Sequence, residues 1–110
     1  MRHSSYDNKR YFDIPEAKPN YSKFFARLDI TKWLNGESIQ TVNFSAKDRE
    51  DDSDASTTVL DQAKCTYNEP YLLPYVQAGT EGARYRVKLR VQTVELSYEE
   101  FYIDFRVKSG

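Results

Sequence analysis

The chain is poor in the residues that would give it chemistry of its own. Its 110 residues include one cysteine, Cys65, and one histidine, His3. A single thiol rules out an intramolecular disulfide and cannot alone build a metal site. Zinc centres and Ser-His or Cys-His nucleophile pairs therefore lack their parts, and Cys65 reads as a small buried hydrophobe. Phosphate-cradling glycine patterns and nucleophile elbows are absent, so no cofactor is implied. Acidic residues are plentiful, yet no spacing sets two of them about a cleft, and an enzyme is not expected. Neither sign of charge prevails: 16 Lys and Arg against 17 Asp and Glu leave −1. A nucleic-acid binder would need a basic excess to meet the phosphates, so nucleic acid is not an expected partner. No apolar run approaches the roughly 20 residues that cross a bilayer, and Met1 to Asn20 carries no apolar signal core. Synthesis in the cytosol, away from membranes, is the expectation.

Aromatic residues, by contrast, are abundant, with nine Tyr and six Phe, which favours a β-rich core. The clearest pattern lies in the last third. Arg84 to Val91 and Phe101 to Lys108 both alternate apolar and polar with the two-residue period of strands buried on one face. Tyr85, Val87, Leu89 and Val91 form one apolar row; Phe101, Ile103, Phe105 and Val107 form the other. Joined by a short break, the two runs predict an antiparallel hairpin, with Val91 expected opposite Phe101. That pairing brings Glu100 and Asp104 opposite or diagonal to Arg86, Lys88 and Arg90. The arginines read as a solvated, salt-paired sheet face, each pair contributing roughly 0.2–1 kcal/mol.

Upstream, Met1 to Tyr21 has no sustained period and reads as an arm, with Tyr6, Tyr11 and Phe12 as its sticky groups. Phe24 to Ile30 predicts a strand, and Thr31 to Gly36 a turn punctuated by Asn-Gly. Trp33 is expected to anchor the core. Ser38 to Lys47 predicts a second strand, with a bulge near Gln40-Thr41 where the apolar parity changes. Asp48 to Asp54 is acidic but lacks the spacing of a calcium loop, so it reads as solvated. Thr57 to Leu60, Ala63 to Tyr67 and Tyr71 to Val76 complete the strand candidates, Pro74 placing the last at an edge or bulge. Together they suggest an all-β fold, an immunoglobulin-like antiparallel β-sandwich of about seven strands. The expected division is an irregular N-terminal arm, 1–21, and a sandwich domain, 22–110.

Several of these stretches, in this order, resemble the fibre–tail adaptor proteins of tailed bacteriophages. Lys18-Pro19 followed by Tyr21 is similar to the family's Lys-x-Pro opening. Leu28-Asp29-Ile30-Thr31-Lys32-Trp33-Leu34 resembles its Asp-Trp-Ser-x-Trp-Leu stretch, with Ile30 in place of the first Trp. Gly36-Glu37-Ser38-Ile39 fits its Gly-Asp/Glu-x-Ile. Ala78-Gly79-Thr80-Glu81-Gly82-Ala83-Arg84-Tyr85 resembles its Gly-Gly-Thr-x-Gly-x-x-Tyr, with Ala78 replacing the first Gly. Gly79 and Gly82 would permit positive φ before the long strand, and Tyr85 would anchor the sheet. The family's Gly-Arg turn is missing: Val94-Glu95-Leu96-Ser97 stands there.

The resemblance implies a non-enzymatic virion structural protein of a phage or prophage, located in the tail or, before assembly, in the host cytoplasm. Its expected partners are tail, neck or fibre proteins. It would form a ring-forming homo-oligomer in the particle and a monomer or weak oligomer alone. Beside the arm, Tyr71, Tyr75 and Tyr102 are the candidate contact residues. The alternative is a carbohydrate- or cell-surface-binding module, with Tyr71, Tyr75, Tyr98 or Tyr102 as a stacking platform.

Overall fold

The structure, a computed structural model, describes residues 11–13, 18–19 and 23–108. In chain order the strands are β1 (Tyr11–Asp13), β2 (Lys18–Pro19), β3 (Phe24–Phe25), β4 (Leu28–Asp29), β5 (Ile39–Asp48), β6 (Thr66–Asn68), β7 (Tyr71–Leu73), β8 (Tyr75–Val76), β9 (Arg84–Thr93) and β10 (Tyr98–Lys108). Two four-residue helices interrupt them, α1 (Thr31–Leu34) and α2 (Ser56–Val59). The described residues are thus mostly β, with chiefly antiparallel pairing, as the alternating sequence requires.

β9 and β10 are the expected hairpin, but its register differs by two residues. Leu89, not Val91, pairs with Phe101; Val87 meets Ile103 and Tyr85 meets Phe105. An even shift keeps every side chain on its face, so Tyr85, Val87, Leu89, Val91, Phe101, Ile103, Phe105 and Val107 are all buried. The shift arises because β10 begins at Tyr98, where Glu99 takes a position on the apolar parity opposite Val91. β5 pairs along the other side of β9, with its register break between Ile39 and Thr41 at the expected bulge. β1 and β2 lie parallel to β10 through their backbones.

The second ribbon is less regular in its strands than in its register. Phe24 pairs with Val76, Phe25 with Tyr75, Leu28 with Leu72 and Asp29 with Tyr71. Between and beyond them, Ala26 N–H donates to the Pro74 carbonyl at 2.9 Å and Ile30 N–H to the Pro70 carbonyl at 3.1 Å. These contacts keep one register along the whole ribbon. Pro74 has no N–H to give and splits the expected Tyr71–Val76 strand into β7 and β8. Even-numbered residues face inward (Ala26, Leu28, Ile30, Leu72, Pro74 and Val76 are buried). β6 extends the ribbon beyond β7.

Two local expectations are corrected. Thr57 to Leu60 is not a strand: Thr57 to Val59 lie in α2, and only Leu60 forms an isolated bridge, to Val76. The Asp54 carboxylate accepts from Ser56 N–H at 3.1 Å and from its hydroxyl at 2.6 Å. Such side-chain bonds offer the backbone a turn and override the β preference of Thr-Thr-Val. Likewise Thr31 to Gly36 begins as the helical turn α1, with Asp29 accepting from Thr31 N–H at 2.9 Å. Asn35 (φ 49°) and Gly36 (φ 86°) then end it in the left-handed region.

The inward rows of both ribbons belong to one hydrophobic core with Trp33, Leu34, Val59 and Leu60. Trp33 meets Phe101 edge-on with ring centroids 5.6 Å apart. Tyr85 packs on Phe105, again at 5.6 Å, while its hydroxyl accepts from Thr80 N–H at 2.9 Å. Gly79 lies against Val107 and Tyr85 at φ 140°; a Cβ there would sit 2.6 Å from Val107 Cγ2 and 3.2 Å from the Tyr85 ring. Gly82 (φ 81°) has open space instead. Gly79→Ala is therefore expected to destabilise by about 2–4 kcal/mol, through clash plus backbone strain. Gly82→Ala should lose only about 1–2 kcal/mol. Urea unfolding of both variants checks the order.

Candidate functional site

The tyrosines singled out from the sequence fall into separate places. Tyr6 lies outside the described residues. Tyr11 and Phe12 lie on β1, their backbones in register with Tyr102 and Ile103. Tyr71 and Tyr75 stand on the outward row of the second ribbon, whereas Tyr102 stands on the outward row of β10.

On the second ribbon the odd-numbered residues face out, because their even neighbours fill the core. Phe25 is 51% exposed, and its ring meets Tyr75 edge-on at 4.8 Å. Lys64 Nζ lies 4.7 Å from the Tyr75 centroid, and Arg27 Cζ lies 4.7 Å from that of Tyr71. A cation over an exposed ring contributes about 0.5–1 kcal/mol, enough to orient these side chains without burying them. Phe25 escaped the sequence reading, although its parity, opposite to Phe24 and Ala26, already turned it outward. Behind this face, Cys65 is half-buried and its sulfur accepts from Tyr75 N–H at 3.4 Å. Burial pushes its thiol pKa up, so it is held as the protonated, poorly nucleophilic form.

Tyr102 belongs to a different surface. Its hydroxyl donates to Glu100 Oε1 at 2.8 Å, and the Tyr98 hydroxyl donates to Oε2 at 3.0 Å. Arg90 Nε donates to the Tyr98 oxygen at 2.7 Å and lies 3.3 Å from Glu100. Further along, Asp104 is buried, accepting from Arg86 Nε at 2.7 Å and Nη2 at 2.9 Å. Arg49 Nη1 approaches the same carboxylate at 3.4 Å. A bidentate Arg–carboxylate pair of this kind is strong and geometrically specific. That Asp104 lies opposite or diagonal to Arg86 was readable from the charges, but its burial was not, because Arg49 arrives from beyond β5.

The acidic loop is occupied with itself. Asp48 accepts from Glu50 N–H at 2.8 Å, Asp51 from Ser53 N–H at 3.0 Å, and Asp52 pairs with Lys47 at 3.4 Å. Among the described residues, no three His, Cys, Asp or Glu side chains gather where a metal ion could be held.

The Tyr102 hydroxyl, more than any other group, holds the Glu100 carboxyl below its ordinary pKa; burial opposes it, while Tyr98, Lys88 and Arg90 assist. Stabilisation from this site is present above the unfolded-state pKa and is lost as pH falls through the folded one. In Tyr102→Phe the Glu100 carboxyl should titrate closer to its ordinary value, and acidification should cost the variant less stability. Carboxyl carbon NMR shifts against pH, with unfolding at matched pH values, check both.

Against known proteins, one family model matches residues 22–105, that of the podophage GP4 fiber-tail adaptor protein gp77. No curated protein matches the chain.

Proposed function

The chain belongs to the podophage GP4 fiber-tail adaptor family, and from that membership we propose that it is a non-enzymatic connector that binds other virion subunits. The family's name puts it among phage tail structural proteins. Its partners on this reading are tail, neck or fibre proteins, met in the host cytoplasm before assembly, and a ring of like copies is one way such a connector repeats its contact. We read residues 22–110 as an immunoglobulin-like sandwich, because two antiparallel ribbons close on one core. Seven strands result if β3–β4, β7–β8 and β1–β2 each count as one interrupted strand. Residues 1–21 act as an arm that lies partly along β10 and offers Tyr6, Tyr11 and Phe12 to a neighbour.

The observation that carries the reading is the outward row of the second ribbon. The exposed Phe25 and the half-buried Tyr71 and Tyr75 present large, rigid rings on one outward sheet face. Such residues dominate protein interfaces because they bury much area at little entropic cost. The cations over Tyr71 and Tyr75 cover one face of each ring, which favours a protein partner over a sugar-stacking platform.

Purified chain is expected to restore fibre attachment to particles lacking it, scored by electron microscopy. Phe25→Ser with Tyr75→Ser should weaken that restoration by roughly tenfold or more, since truncating a central aromatic removes about 2 kcal/mol or more. Far-UV circular dichroism should stay unchanged because both side chains face outward. Full restoration by the double variant would remove this face from the function.

A further inference from the structure

Three strands present one outward face, and reading it row by row shows a gradient of charge. Thr41, Gln92 and Tyr98 form a neutral row near the hairpin tip. Asn43, Arg90 and Glu100 follow, with one charge of each sign, and then Ser45, Lys88 and Tyr102 with one cation. Next come Lys47, Arg86 and Asp104, two cations against one acid. At the far end Arg49 N–H donates to the Arg84 carbonyl at 2.9 Å, which continues the β5–β9 register by one residue. Arg84 in turn pairs with Arg106 on β10. Arg49, Arg84 and Arg106 therefore stand abreast, all exposed.

Like charges directly opposite on neighbouring strands destabilise a sheet. Here the pairs Arg84–Arg106 and Lys47–Arg86 both break that rule. Within this corner Asp104 answers Arg86 and Arg49, and Asp52 answers Lys47. A chain of net charge −1 thus sets three arginines abreast at one end of one face, where Arg49 opens the acidic loop. We propose that the Arg49–Arg84–Arg106 end of this face is the docking site for an acidic segment of a partner protein. The claim rests on the adaptor reading and adds the chemistry of a second partner surface to it. Guanidinium forks match carboxylates in a bidentate geometry, and adjacent strands place the three forks roughly 10 Å apart end to end. That width suits a few carboxylates. A nucleic acid needs a basic track that follows its backbone, and here the track ends at the Arg90–Glu100 row.

The test titrates the isolated full chain with a short oligoglutamate peptide, read by backbone amide shifts. The expected result is saturable shifts centred on Arg49, Arg84 and Arg106. Arg84→Glu with Arg106→Glu should weaken binding by roughly tenfold or more, whereas Lys23→Glu with Lys32→Glu, the same charge change elsewhere, should leave it within about twofold. Should the reversal pair unfold, Arg84→Gln with Arg106→Gln serves, since neutral side chains relieve the repulsion. Shifts scattered over the surface, no binding, or equal loss in the control overturn the proposal. So does tighter binding of a single-stranded DNA oligomer of equal net charge. None of these outcomes touches the particle-restoration assay, which reads the adaptor role by itself.

Discussion

Alternation along β9 and β10 assigns every side chain in the hairpin to one of two environments, and the remaining chain is arranged to complete them. The buried row of β9 runs through Tyr85, Val87, Leu89 and Val91 and ends at Thr93, which is fully buried and polar. Thr93 can end it there because both capacities of its hydroxyl are used, donating to Glu37 at 2.8 Å and accepting from Ser97 N–H at 3.0 Å. Buried hydroxyls without partners are costly. The turn therefore comes where the apolar row stops and the polar groups of the loop can be satisfied. The second ribbon covers the row, and Gly79 permits the close approach of its connection to Val107.

How far this was legible depends on whether the signal was periodic or depended on contacts remote in the chain. Parity was plain from the residues themselves, and it survived a register wrong by two because the pleat repeats every two residues. The register itself hinged on Glu99, an acid on the apolar parity, which masked the start of β10. The helical turns were hidden for another reason: side-chain bonds from Asp29 and Asp54 outweigh local β propensity over a few residues. Phe25 could have been found by the same alternation that buried Ala26 and Leu28. The burial of Asp104 could not, because its second arginine is distant in sequence and becomes a neighbour only once β5 has paired.

The acidic stretch also gains a structural account that its composition did not suggest. Asp48 N–H donates to the Ser53 carbonyl and Ala55 N–H to the Ala46 carbonyl, both at 2.9 Å, while the Ser56 hydroxyl accepts from Ala46 N–H at 3.0 Å. Gln62 reaches the Phe44 carbonyl at 2.9 Å. The loop thereby folds back over the outer side of β5 and occupies backbone groups that an open edge strand would leave for another chain. β1 and β2 do the same for stretches of β10 on the opposite edge.

With these stretches of both edges already hydrogen-bonded within the chain, strand addition is a poor route to a partner, and the faces carry the argument. They differ in chemistry. One outward row is aromatic, with Phe25 and Tyr75 held edge-on and cations set over two of the rings; its contacts gain from desolvation and depend little on salt. The other is electrostatic and strongest at Arg49, Arg84 and Arg106; its contacts weaken as salt screens them. A connector of the kind proposed above must hold two neighbours without letting either take the other's place. Surfaces that answer to different forces meet that requirement, because a partner shaped for the aromatic row gains little from the arginines.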